Sequence, residues 1–137
     1  MTSKLVELLK SKNLVIAVAE SCTGGAFMAS LVKVPGTSEV LHGGVVVYTE
    51  VAKVKLLGVE RETIEKKTAV SEQVAKEMAA GVRKKLGADV GISVTGYAGP
   101  TGDPVGKVCF GVAVSGGEFS VTKNFTGARS EIINARL

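Results

Sequence analysis

The sequence predicts a three-layer α/β/α sandwich on a mixed sheet of about five strands. Three observations predict it. Segments of helical periodicity alternate with short apolar runs through most of the chain, the pattern of β–α–β crossovers. The run Leu14 to Ala19 is apolar at every position, as a strand buried on both faces requires. Gly116-Gly117 separates the last two strand-like runs, a tight turn that makes them an antiparallel hairpin.

The elements follow in order. Leu5, Leu8 and Leu9 mark one face of an opening helix over about 3–12. The apolar strand ends abruptly at Glu20-Ser21-Cys22-Thr23-Gly24-Gly25, and a helix over about 23–33 is stopped by Pro35-Gly36. Val45 to Tyr48, after Gly43-Gly44, forms a second strand. A short helix over about 50–57 ends at Gly58, and an exposed helical stretch covers about 60–67. Ser71 caps a longer helix with a core stripe of Val74, Met78 and Val82, ended by Gly87. Val90 to Thr95 is a third strand, Lys107 to Val114 a fourth and about 118–125 a fifth. Arg129 to Leu137 begins a last, short helix.

The 137 residues fit a single domain over 1–137, with no internal repeat and no linker. A chain of this length buries roughly 68% of the surface it exposes when unfolded, enough for a real core. The net charge of +4 suits an anionic small molecule as well as a polyanion. Nucleic-acid binders cluster basic residues and interleave aromatics for stacking. Here the aromatics are four Phe and two Tyr, and the densest basic run, Arg83-Lys84-Lys85, lies on a helix's polar side. That argues against a nucleic-acid partner. No apolar run reaches the ~18 residues of a membrane span, and the N-terminus reads as an amphipathic helix rather than a signal peptide. With Cys22 and Cys109 outside any CxxC pair, the expectation is a cytoplasmic protein with reduced thiols and no bound metal or cofactor. A homo-oligomer suits so small an enzyme.

His42 is the single histidine, so a hydrolase on this chain would draw its base from Lys, Tyr or a carboxylate. Ligands in α/β sheets sit beyond the carboxyl ends of the strands, and three such ends carry unusual residues. At the first, Ser21 stands at or just before a helix N-terminus, where free N–H groups can bind phosphate or an oxyanion. Ser21 or Thr23 could equally be a plain helix cap. Cys22 competes as a nucleophile, because a helix N-terminus lowers a thiol pKa, or it is a small apolar filler. At the second end, Tyr48 and Lys53 can face one pocket, and a desolvated Lys can serve as a base; a solvated surface Lys is the alternative. At the third, Thr95 to Gly102 can wrap a ligand with backbone N–H groups, or be a plain turn.

Ala19-Glu20-Ser21-Cys22-Thr23-Gly24-Gly25 resembles the signature of the CinA C-terminal domain family. Val34-Pro35-Gly36-Thr37-Ser38, Gly43 to Tyr48, Thr68-Ala69-Val70-Ser71-Glu72 and Thr95 to Pro100, with Pro104 to Val108 behind it, are similar to that family in order and spacing. The resemblance covers essentially the whole chain. It implies an amidohydrolase that deamidates nicotinamide mononucleotide to nicotinate mononucleotide and ammonia, without a cofactor. It further implies Ser21 as nucleophile, with Tyr48 and Lys53 moving the proton. The substrate contacts it implies are Cys22, Thr23, Gly24 and Gly25, then Thr95, Gly96, Ala98 and Gly99, with Arg129 or Arg136 as the last-helix arginine. Two departures stand out: Glu50 where the family often has Asn, and a short loop between Pro100 and Pro104. The activity of the N-terminal nucleotide-processing domain that full-length CinA proteins carry is not expected of these 137 residues. A non-catalytic nucleotide-binding module, or a protein tied to competence and DNA damage, is the alternative the resemblance leaves.

Overall fold

The computed structural model describes residues 2–97, 99, 102, 104–127 and 129. The elements run α1 (Thr2–Lys12), β1 (Ile16–Glu20), α2 (Ala26–Val32), a 3-10 turn (Thr37–Glu39), β2 (Leu41–Val46), α3 (Glu50–Leu57), α4 (Arg61–Lys67), α5 (Glu72–Leu86), β3 (Val90–Gly96), β4 (Lys107–Val114) and β5 (Gly117–Asn124). The five strands form one sheet in the order β2-β1-β3-β4-β5. The first three are mutually parallel, while β4 and β5 are antiparallel additions. The mixed α/β/α sandwich read from the sequence is therefore the fold. The expected last helix lies outside the described residues, apart from Arg129.

Side-chain alternation along the strands assigns the layers. Ala17 and Ala19 of β1 pack with Val74, Met78 and Val82 of α5, Leu57 of α3 and Ile64 of α4. Ile16 and Val18, one residue out of phase, pack with Val6 and Leu9 of α1 and Leu31 of α2. All five β1 residues are buried, which accounts for the unbroken apolar run. Helix α5 lies close on the sheet: a Cβ at Gly91 would strike the Ala79 carbonyl, and one at Gly111 the Ala75 carbonyl.

Several boundaries differ from the expectation, each for a physical reason. Helix α2 starts at Ala26, not near 23, because Gly24 and Gly25 take positive φ (58° and 109°) and extend the turn after β1. Strand β2 starts at Leu41, so Gly43-Gly44 lies inside it rather than before it, and His42 is a strand residue. A side chain at Gly44 would meet the Met28 sulfur and the Val18 carbonyl, so glycine there admits α2 against the strand. In α1 the inward face is Val6 and Leu9, and Leu8 is exposed. The Ser71 cap matches, its Oγ accepting from the Val74 N–H at the start of α5, and the structure adds a second cap, Thr49 Oγ1 accepting from the Ala52 N–H at the start of α3.

Candidate active site

Because β1, β2 and β3 are parallel, their carboxyl ends meet at one edge of the sheet. There Ser21 follows β1, Val47 and Tyr48 follow β2, and Thr95-Gly96-Tyr97 closes β3. The Ser21 N–H donates to the Val94 carbonyl at 3.0 Å, carrying the β1–β3 ladder one residue further. Alternation then separates two neighbours. Glu20 shares the face of Ile16 and Val18, toward α2, while Ser21 shares the face of Ala17 and Ala19, toward α3.

On that second face Ser21 meets Lys53. Thr49 starts α3, and Lys53 lies one turn in with its side chain turned back under the β2 end. The Lys53 amine donates to Ser21 Oγ at 2.8 Å, to the Val47 carbonyl at 3.0 Å and to the Tyr48 carbonyl at 3.3 Å. Ser21 Oγ lies 3.5 Å from the Tyr48 carbonyl. The lysine is only 2% exposed. Burial pushes its pKa below the ordinary lysine value, against the opposing pull of Cys22 and of the Glu50 carboxylate. If the amine loses one proton, the two carbonyls can hold those that remain. Its lone pair is then free to accept the Ser21 hydroxyl.

Both residues open onto a pocket of about 350 Å³. Cys22, Thr95, Gly96 and Arg129 line it too, as do Thr49, Glu50 and Tyr97 from the same strand ends, and Ala69 and Val70, which the sequence had not marked as part of a site. Tyr48 lines it as well, but its hydroxyl accepts from Arg129 Nη2 at 2.8 Å. Its contact with the serine–lysine pair runs through the main-chain carbonyl. The other Arg129 nitrogen, Nη1, donates to the Gly99 carbonyl. Thr95 Oγ1 donates to the Ala69 carbonyl at 3.0 Å. Ala98 and Arg136 lie outside the described residues. Among the described residues, no group of three His, Cys, Asp or Glu side chains could hold a metal ion.

The helix mouth differs from the sequence expectation. Glu20, fully buried, turns its carboxylate into the start of α2. One oxygen accepts from Thr23 Oγ1 at 2.5 Å, Gly25 N at 3.1 Å and Phe27 N at 3.0 Å, and the other from Met28 N at 2.7 Å. The orphan donors of the helix are thereby satisfied within the chain. Thr23, Gly24 and Gly25 are thus part of the Glu20 cap and its turn, not of the pocket lining. The signal for this was an acidic residue closing an otherwise apolar strand. Cys22 lines the pocket with its thiol protonated, because burial pushes its pKa up to about 11.

Comparison with known proteins agrees with this architecture. The model of the CinA C-terminal domain matches residues 1–137. The chain belongs to the CinA C-terminal domain family. A CinA-like protein of Chloroherpeton thalassium is 53% identical over 113 residues, covering 80% of this chain and 27% of that protein. A CinA-like protein of Kosmotoga olearia is 46% identical over 134 residues, covering 95% and 32%. The chain thus spans about a third or less of the curated relatives it matches. The crystal structure of a competence-damaged protein (CinA) superfamily member from Escherichia coli superposes with a TM-score of 0.92 at 36% identity, covering 97% of this chain and 80% of that one. Among the described residues of this CinA-family chain, no helix is long and apolar enough to cross a membrane.

Proposed function

We propose that this CinA-family chain is an amidohydrolase that deamidates nicotinamide mononucleotide through a serine–lysine pair. The observation that carries the reading is the 2.8 Å contact between Ser21 Oγ and a buried Lys53 amine of lowered pKa, at the wall of a pocket. A desolvated amine within hydrogen-bond reach of a hydroxyl is a general base in position.

In this reading the neutral Lys53 amine takes the Ser21 proton as Oγ attacks the carboxamide carbon. The carbonyl π electrons move to oxygen. The oxyanion is assigned to the main-chain N–H of Cys22, the pocket-lining residue next to Ser21. When the tetrahedral intermediate collapses, the C–N bond breaks and Lys53 returns its proton to the leaving nitrogen, releasing ammonia. Lys53 then takes a proton from water as it attacks the acyl-serine ester, and returns that proton to Oγ as the bond from the acyl carbon to Ser21 breaks. The products are nicotinate mononucleotide and free Ser21. Tyr48 orients the amine through its carbonyl rather than relaying the proton through its hydroxyl. Arg129 at the rim supplies a cationic contact for the substrate phosphate.

The test is ammonia release from the purified protein supplied with nicotinamide mononucleotide between pH 6 and 9. Stoichiometric ammonia and nicotinate mononucleotide are expected. Binding without turnover anywhere in that range would refute the reading in favour of a non-catalytic binding module.

A further inference from the structure

Residues 68–71 join α4 to α5 beside the pocket, and the first of them has a strained backbone. Thr68 has φ 70° and ψ 162°, a region that is essentially glycine-only, and threonine is β-branched. The conformation is held from several sides. The Thr68 N–H donates to the Ile64 carbonyl at 2.9 Å, closing α4. Three successive carbonyls are then each taken by a side-chain hydroxyl. Ser71 Oγ donates to the Thr68 carbonyl at 3.0 Å, Thr95 Oγ1 to the Ala69 carbonyl at 3.0 Å, and Thr68 Oγ1 to the Val70 carbonyl at 3.3 Å. The segment so pinned presents Ala69 and Val70 to the pocket. Behind it, Val70 packs with the buried Cys109.

A mere helix connection needs none of this, since glycine would adopt the same dihedrals without strain. Strain that persists only because hydrogen bonds on every side enforce it, at a pocket wall, indicates a wall whose position matters. We propose that Thr68 is a positioning residue: its backbone and hydroxyl hold the Ala69–Val70 main chain as a rigid wall against which the amide substrate is seated. The substrate named here rests on the amidohydrolase reading; the wall rests on the hydrogen-bond geometry.

The experiment compares Thr68→Val (hydroxyl lost, branch kept), Thr68→Gly (hydroxyl lost, strain relieved) and Thr68→Ser (hydroxyl kept). Three quantities are read: kcat and KM for nicotinamide mononucleotide, the Tm, and the alkylation rate of Cys109 in unliganded protein. Thr68→Val and Thr68→Gly should raise KM about 5- to 10-fold with little change in kcat, the scale of one lost hydrogen bond. Both should also speed Cys109 labelling. Thr68→Ser should recover most of what Thr68→Val loses, and Thr68→Gly should not lower the Tm. Unchanged KM and labelling in Thr68→Val and Thr68→Gly would overturn the proposal. So would a Thr68→Ser protein as impaired as Thr68→Val. If wild-type protein releases no ammonia, the amidohydrolase reading fails by itself and Cys109 labelling decides the wall. Faster labelling in Thr68→Val and Thr68→Gly upholds it, and equal rates reject it.

Discussion

Replacing Lys53 by Met removes the amine and keeps most of the buried stem. In the wild-type structure that amine is 2.8 Å from Ser21 Oγ and holds the Val47 and Tyr48 carbonyls. A positioned general base contributes about 10²- to 10⁴-fold to a rate, or about 3–5 kcal/mol of barrier. Lys53→Met should therefore lower kcat/KM by at least about a hundredfold, with KM less affected. The assay is ammonia release against pH. Wild-type kcat/KM should rise with pH as Lys53 loses its proton, with a midpoint below the ordinary lysine value of 10.5, and the variant should show a low, flat profile. Stability provides a second reading. Because the folded-state pKa is depressed, between that pKa and 10.5 the unfolded chain binds more protons than the folded one. Wild-type stability relative to Lys53→Met should thus climb as pH rises through that window, and be lost as pH falls through the folded-state pKa. The carbonyls left unpaired each cost about 1–3 kcal/mol, opposed by relief of a buried charge, so the variant should still fold. A folded Lys53→Met protein with a wild-type rate, or one that keeps the alkaline rise in kcat/KM, would refute the assignment of Lys53 as base.

Ser21→Ala should abolish ammonia release with an unchanged circular dichroism spectrum. Cys22→Ala should keep activity within about threefold, since a thiol with a pKa near 11 is almost wholly protonated at neutral pH; loss of turnover there would move the nucleophile to Cys22. Glu20→Ala leaves the α2 donors facing a void and should cost at least about 2 kcal/mol in urea unfolding, with Glu20→Gln milder. Gly111→Ala drives a Cβ into the Ala75 carbonyl and should cost about 1–3 kcal/mol through displacement of α5, read as a lower Tm.

Much of the fold was legible locally. The unbroken apolar run of β1, the Val74–Met78–Val82 stripe of α5, the Ser71 cap and the Gly116 turn are written in short windows, because each reflects a period or a dihedral that neighbours alone can specify. Ser21 and Lys53 were legible as residue types at strand and helix ends. The start of β2 was not, because a Gly-Gly pair reads as a break until Met28 is seen to occupy the space above it. Neither was the role of Glu20, which looks from the sequence like a member of the reactive turn.

By itself, then, the sequence determined the layers, the order of elements and which side chains stand at the carboxyl edge of the sheet. Tertiary structure decided what each of them faces. Successive residues of an extended chain point to opposite sides whatever surrounds them, so Glu20 and Ser21 had to part. That one side would hold the bare start of α2 and the other a lysine from α3 depended on helices packing onto the two faces of the sheet. No local window contains that information, because the contact between Ser21 and Lys53 spans 32 residues and exists only when both layers are in place.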